Sequence, residues 1–187
     1  MMDKVGQLQA MVLRRRTTQA IDDYLEQVDI NSVDQFGSTL LHVVAQSTGN
    51  RALTEYAINS GADIDALDAE GYTPLALACT SQFNGPVFAL LDAGANPNAS
   101  TTRHPLLYAI VKRDVQLVKT LLDAGANTQA QDSATGMTPS AAASLYGATT
   151  IAKLIEDHEE RLSIQKEQQT LLGSIGEART APKKLKM

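Results

Sequence analysis

The sequence is poor in aromatic residues: they make up 4% of its 187 residues, and tryptophan is absent. A hydrophobic core must therefore be built mainly from Leu, Ala, Ile and Val. Such residues suit thin layers of helices, because small side chains let neighbouring helices approach closely. The hydrophobic fraction of 43% is ordinary for a globular chain, so one continuous core is within reach.

Other absences exclude whole classes of function. A single cysteine, Cys79, excludes an intramolecular disulfide and a zinc site built from several cysteines. No stretch approaches the roughly 18 apolar residues of a membrane-spanning helix, and no apolar run at the N-terminus is typical of a secretory signal. A net charge of −5 disfavours nonspecific nucleic-acid binding. We therefore expect a cytoplasmic protein, in its own cell or delivered into another, with no nucleic-acid or membrane partner.

What the sequence does contain is a segment that recurs about every 33 residues. Its first half reads DQFGSTLLH at 34–42, DAEGYTPLA at 68–76, RHPLLYA at 103–109 and GMTPSAA at 136–142. Its second half reads SGADIDA at 60–66, AGANPNA at 93–99 and AGANTQA at 124–130. Two halves that recur together in the same order indicate a stack of similar structural units.

Each repeat has the signals of two short helices. A threonine followed by proline, as in Thr73-Pro74, is typical of a helix start, because the hydroxyl caps the helix and proline fits its first turn. Apolar residues then recur at helical spacing, first after this start and again after a break. Gly61, Gly94 and Gly125 follow the second helix, where a left-handed backbone conformation ends it.

These motifs resemble the ankyrin repeat, whose T-P-L-H-x-A signature and 33-residue period they match. The resemblance implies an all-α ankyrin-repeat solenoid of about five helix-turn-helix units with short finger loops and an extended C-terminal helix. The units are a divergent N-terminal capping repeat at 1–33, ankyrin repeats at 34–67, 68–100 and 101–131, and a C-terminal capping repeat with the extended helix at 132–172. Gly173 and Gly176 are expected to end that helix, and 173–187 to form a flexible basic tail.

No catalytic, metal or cofactor site is predicted. The resemblance implies that His42 and His104 brace the turns between neighbouring repeats, while His158 lies on a charged, solvated helix face. Cys79 falls at a small core position, where a buried thiol is inert. No nucleophile, base and orienting group can be assembled from this sequence, so an enzyme is the least favoured class.

The resemblance also implies a concave groove lined by the finger tips and the first helices. Phe36 and Tyr72 stand out there, because large aromatic residues are enriched among the anchors of protein interfaces. They come from successive fingers, and we expect them at closely equivalent positions. The predicted partner-binding residues are Gln35, Phe36, Ser38, Gln46, Glu70, Tyr72, Thr80, Ser81, Arg103, Lys112 and Tyr146.

The predicted function is that of a noncatalytic protein-protein interaction module, an adaptor or inhibitor that holds one protein partner in the groove. A monomer is expected. One alternative is a self-assembling structural protein that dimerises through the extended C-terminal helix. Another, by analogy alone, is a microbial effector or a toxin-immunity protein.

Overall fold

A computed structural model describes residues 4–102, 104–133 and 135–180, and this part of the chain forms ten α-helices in five consecutive pairs. The expected all-α solenoid is confirmed, and one helix pair begins in each predicted unit. The helices are α1 (Lys4–Arg15), α2 (Thr18–Leu25), α3 (Leu40–Ser47), α4 (Arg51–Asn59), α5 (Pro74–Thr80), α6 (Gly85–Asp92), α7 (Pro105–Val111), α8 (Val115–Asp123), α9 (Pro139–Leu145) and α10 (Thr149–Thr180).

The first helices begin as the Thr-Pro motif predicts. The Thr73 hydroxyl accepts a hydrogen bond from the Ala76 N–H at 3.2 Å, and Pro74 is the first helical residue. Thr138 caps α9 in the same way. His104 takes the capping position of α7 but makes no side-chain capping bond, so proline alone marks the start of that helix.

The glycines that end the second helices have the predicted left-handed conformation. Gly61, Gly94 and Gly125 have φ angles of 90°, 89° and 85°. The N–H of the following alanine then bonds back to a carbonyl five residues earlier, as Ala95 does to Leu90 at 2.9 Å. This closure turns the chain out of the helix and into the next finger.

The ten helices stack in two layers around one core. The odd-numbered helices pack in the order α1, α3, α5, α7 and α9, while α2 packs on α4, α4 on α6 and α8 on α10. The buried cluster runs without a break from Val12 in the first unit to Ile155 in the last. Fully buried alanines such as Ala45, Ala78 and Ala109 allow the close helix contacts that the composition predicted.

The end of the last helix differs from the prediction. Helix α10 has 32 residues and continues to Thr180, so the expectation that Gly173 and Gly176 end it is wrong. A glycine weakens a helix interior by only about 1 kcal/mol, and good helix formers, Leu172 and Glu177, stand before and after this stretch. The first eight residues of the predicted tail are therefore helical, and 181–187 lie outside the described residues.

Candidate functional site

The first two finger loops, whose tips lie at 34–38 and 68–72, are tight turns, each held by an aspartate. One carboxylate oxygen of Asp34 accepts from the N–H groups of Phe36 and Ser38, at 2.9 and 3.0 Å. In the next finger Asp68 accepts in the same way from Glu70 and Tyr72, at 3.0 and 2.9 Å. Each finger conformation is thus set by backbone groups and one aspartate, and does not depend on the side chains at its tip.

These bonds also define which finger positions correspond. Phe36 corresponds to Glu70, and Tyr72 corresponds to Ser38, because each pair donates to its aspartate in the same order. The expectation that Phe36 and Tyr72 occupy closely equivalent positions is therefore wrong by two residues. The sequence motif did not separate these positions, since both flank the turn glycine.

Neighbouring fingers are joined by backbone hydrogen bonds. The Ala69 N–H donates to the Phe36 carbonyl at 3.1 Å, and the Thr101 N–H donates to the Gly71 carbonyl at 2.9 Å. The fingers approach so closely at Gly37 that a Cβ atom there would lie 2.7 Å from the Ala69 nitrogen. The row of fingers is therefore a continuous edge with a defined register.

His42 connects the first finger to the second, as the resemblance implied. Its Nδ1 accepts from the Thr39 N–H at 3.2 Å, so Nε2 carries the proton and donates to the Tyr72 carbonyl at 3.1 Å. Burial lowers the pKa of His42, while the bond to Tyr72 acts in the opposite direction. His42 is a neutral brace that fixes the Tyr72 backbone at the edge of the groove.

Most of the predicted binding residues line one open cavity of about 540 Å³ between the first two fingers and helices α3, α5 and α7. The predicted residues that it brings together are Gln35, Phe36, Ser38, Gln46, Glu70, Tyr72 and Thr80. We call this cavity the central groove. Its Phe36 side chain is 64% exposed, whereas Tyr72 is half-buried.

The central groove also contains residues missing from the predicted list: Asp68, Ala69, Leu77 and Tyr108. Leu77 and Tyr108 both stand fourth in their first helices, α5 and α7, and both are half-buried. Helical spacing could have indicated this position, because the fourth residue lies beside the buried face of the helix and on the same side as the finger loops.

The remaining predicted residues lie elsewhere or are not described. The Lys112 ammonium donates to the carbonyls of Cys79 and Ser81, at 3.3 and 2.5 Å, and so stabilises the end of α5. Neither it nor Ser81 lines the central groove. Tyr146 is exposed at the end of α9, where its carbonyl accepts from Arg113. Arg103 lies outside the described residues.

A second, smaller cavity of about 150 Å³ adjoins the central groove on the side of the N-terminal unit. Gln35 and Phe36 line both cavities and so form the boundary between them. The other lining residues are Gly6, Gln9, Ala10, Leu13, Asp34 and Val43. We call it the side pocket.

The short third finger packs against the second finger. Between the glycine that ends the second helix and the cap of the next first helix it is two residues shorter than the second finger, and Thr101 replaces the turn aspartate. Thr101 and Thr102 instead donate their hydroxyls back to the Gly71 and Glu70 carbonyls of the second finger. The second finger is thus held from both sides.

The residues weighed for catalysis have structural surroundings. Burial raises the pKa of the Cys79 thiol to about 12, which keeps it protonated and unreactive. Burial lowers the pKa of His104, whose buried Nδ1 has no hydrogen-bond partner. Among the described residues, no group of three His, Cys, Asp or Glu side chains is placed to hold a metal ion. Nor does any helix in the described ranges have the length and apolar character needed to cross a membrane.

Family models match most of the chain. A model described as ankyrin repeats, in three copies, matches residues 8–101, and a single ankyrin repeat matches residues 103–133. Ankyrin repeat protein OPG189 of Variola virus is 29% identical over 140 residues, which is 70% of this chain and 25% of that protein. The mouse B-cell lymphoma 3 protein homolog is 29% identical over 106 residues, 54% of this chain and 24% of that protein.

This chain thus spans about a quarter of the length of these two relatives. A third relative is covered over most of its length. Putative ankyrin repeat protein FPV223 of Fowlpox virus is 34% identical over 128 residues, which is 68% of this chain and 89% of that protein. The period, the helix pairs, the left-handed glycines and the bonded fingers agree with these matches, and the chain belongs to the ankyrin repeat family.

Proposed function

We propose that this protein is a noncatalytic adaptor or inhibitor that holds a segment of a protein partner in the central groove. Ankyrin repeats generally mediate protein-protein interaction and are typically noncatalytic modules. The observation that carries the proposal is that seven residues chosen from repeat positions alone line one open cavity. We place the protein in the cytoplasm, where the unpaired thiol of Cys79 would stay reduced.

The side chains of Phe36 and Tyr72 are available for binding because the finger turns do not use them. Asp34, Asp68 and the backbone set the finger turns, so the rings of Phe36 and Tyr72 have no part in the bonds that shape them. Large exposed aromatic residues in a concave surface are typical anchors of protein interfaces. The groove is therefore a formed surface whose specificity depends on these side chains.

The test is a double variant, Phe36→Ala with Tyr72→Ser. Serine is chosen because Ser38 occupies the equivalent position of the first finger, so the turn accepts it. We expect capture of the natural partner to weaken about thirtyfold, since truncating a central aromatic anchor typically costs on the order of 2 kcal/mol. Quantitative affinity purification with mass spectrometry, followed by titration of the recovered partner, measures this loss.

The matched control is Gln116→Ala with Lys119→Ala. Both side chains are exposed on α8, a second helix outside the central groove. This control should bind the partner like the unaltered chain, and thermal unfolding should show that both double variants remain folded. Equal binding by the groove variant and the control would refute the proposal.

Self-association through α10 is a second candidate function, supported by apolar side chains exposed far from the core. Ile164 and Leu171 stand seven residues apart, two turns along one helix face, and Leu172 lies next to them. All three are largely exposed. Light scattering of the purified chain tests this candidate: a stable dimer supports it, and a monomer across the micromolar range removes it.

A further inference from the structure

The central groove and the side pocket form one surface with two kinds of lining. Phe36 and Gln35 belong to both cavities, so a bound segment that passes over Phe36 contacts both at once. The side pocket is built by a contact between units, because α1 supplies one wall and the first finger and α3 supply the other. This combination is specific to the N-terminal half of the stack.

The side pocket is small and largely apolar. Ala10, Leu13, Val43 and the Phe36 ring supply hydrocarbon, and the amide nitrogen of Gln9 already donates to the Ser38 carbonyl at 2.9 Å. Its volume of about 150 Å³ is similar to that of apolar cavities that hold a benzene molecule. The side pocket thus suits one large apolar side chain.

The central groove has the opposite character, because it is acidic and aromatic. Asp68 and Glu70 line it together with the rings of Phe36, Tyr72 and Tyr108. Among the described lining residues of both cavities there is no Lys, Arg or His. The Lys112 ammonium is bound to the carbonyls at the end of α5 and does not pair with these carboxylates.

Carboxylates beside aromatic rings favour a cationic side chain. A lysine or arginine gains a charge-assisted hydrogen bond from the carboxylate and attraction from the face of the ring. An acidic segment or a nucleic-acid phosphate would instead be repelled by Asp34, Asp68 and Glu70. The negative charge of the lining therefore favours a positively charged segment of the partner.

We propose that the occupant of this surface is a segment of the partner protein in which a large apolar residue stands close to a lysine or arginine. The apolar side chain enters the side pocket, and the cation lies in the central groove between Glu70 and the rings of Tyr72 and Tyr108. This inference rests on the proposed function, because it names the chemistry of the segment held in the same groove.

A displayed library of short random peptides is the probe. The unaltered chain should select peptides that combine Lys or Arg with a large apolar residue. A synthetic peptide of the selected sequence should bind Glu70→Gln about tenfold more weakly than the unaltered chain, and the difference should shrink at high salt. The substitution keeps size and removes only charge, and Gln116→Ala with Lys119→Ala should bind unchanged.

The library separates failure of this inference from failure of the proposed function. Peptides that require Phe36 and Tyr72 but are acidic or lack a cation would overturn the inference and leave groove binding standing. Equal binding to Glu70→Gln would do the same. If no recovered peptide distinguishes the unaltered chain from Phe36→Ala with Tyr72→Ser, both proposals fail. Thermal unfolding of each variant shows whether a loss of binding reflects a loss of structure.

Discussion

At both ends of the stack a helix pair covers the apolar face of its neighbour, but the two pairs are built differently. At the N-terminal end α1 packs on α3 and α2 on α4, and each helix ends within three residues of its last fully buried side chain. At the C-terminal end α10 buries Ile151 and Ile155 and then continues for 25 more residues, from 156 to 180. We call residues 160–180, beyond the bond between Gln129 and Glu159, the projecting part of α10; at 1.5 Å per residue it is about 30 Å long.

The difference shows that α10 has two parts: one that closes the core and one that extends beyond it. Closing the core requires only the first two turns of α10, because Ile155 is its last fully buried residue among those whose side chains are described. The continuation exposes Leu162, Ile164, Leu171 and Leu172, which core packing does not account for. The N-terminal pair therefore serves only as a cap. At the C-terminal end the start of α10 is the cap, and its projecting part is not needed to close the core.

The strongest test of this comparison is removal of residues 1–33. The deletion takes away Val12, Ile21 and Tyr24, all fully buried, and exposes the faces of α3 and α4 that they cover. Each such side chain contributes about 1.5–3 kcal/mol by burial, and a typical domain is stable by only about 5–15 kcal/mol. We expect aggregation or loss of cooperative unfolding, measured by light scattering and urea denaturation. A truncated chain that unfolds like the full chain would contradict the capping role.

A pair of point substitutions compares the two ends of the stack without removing a whole unit. Ile21→Ala should lower the free energy of unfolding by about 2–5 kcal/mol, because it leaves a cavity in the N-terminal cap. Leu172→Ala, on the projecting part of α10, should change it by less than about 0.5 kcal/mol, since that residue is 69% exposed. Urea unfolding followed by circular dichroism compares the two. Similar losses would mean that α10 is packed as tightly as α2.

The two ends also differ in the hydrogen bonds that join the loop after a second helix to the neighbouring unit. Asn31 joins the first unit to the second with two bonds, accepting from the Asp63 N–H at 2.7 Å and donating to the Gly61 carbonyl at 3.2 Å. Gln129 reaches α10 with one bond, to Glu159 at 2.7 Å, between two side chains. Asn31→Ala should cost about 1 kcal/mol and Gln129→Ala about 0.3 kcal/mol in unfolding free energy. Equal costs would remove this distinction between the ends.

Between these ends one inter-repeat hydrogen bond is missing, at Asp65, and restoring it should raise the stability of the stack slightly. Asp65 accepts from the Asn96 N–H at 2.9 Å, as Asn31 and Asn98 accept at their equivalent positions. Asn98 also donates to the Gly125 carbonyl, but a carboxylate has no N–H with which to bond Gly94.

Asp65→Asn should therefore raise the free energy of unfolding by about 0.5–1 kcal/mol. The control is Asp157→Asn, which makes the same change of charge on the exposed surface of α10. Equal stabilisation by both substitutions would show that the gain came from reduced negative charge and not from the added bond.

The smallest effect is expected from removal of residues 174–187. Helix α10 still covers the last repeat without them, so the melting temperature should stay within about 2 °C of that of the full chain. Light scattering on both chains adds a second readout. If the full chain is a dimer and the shortened chain a monomer, the projection serves self-association, and a large drop in melting temperature would mean that it belongs to the cap.

Much of the architecture could be predicted because ankyrin signals are local. Proline at the start of α5 and glycine after α6 act on their own turns, through the lost N–H of one and the left-handed conformation of the other. The shortened third finger was also visible from spacing alone. By contrast, the end of α10 was predicted wrongly, because a glycine lowers helix stability without forbidding the helix.

The amino-acid sequence by itself thus determined the repeat register, the helix starts and the glycine turns, since each depends on residues within a few positions of one another. Only the tertiary structure decided that Lys112 would stabilise α5, that Thr101 and Thr102 would bond the second finger, and that α1 and the first finger would enclose the side pocket. These features join residues about 30 positions apart, and no local signal states how closely two stacked units approach. The distance between units depends on the packing of the whole core, which is a property of the folded chain.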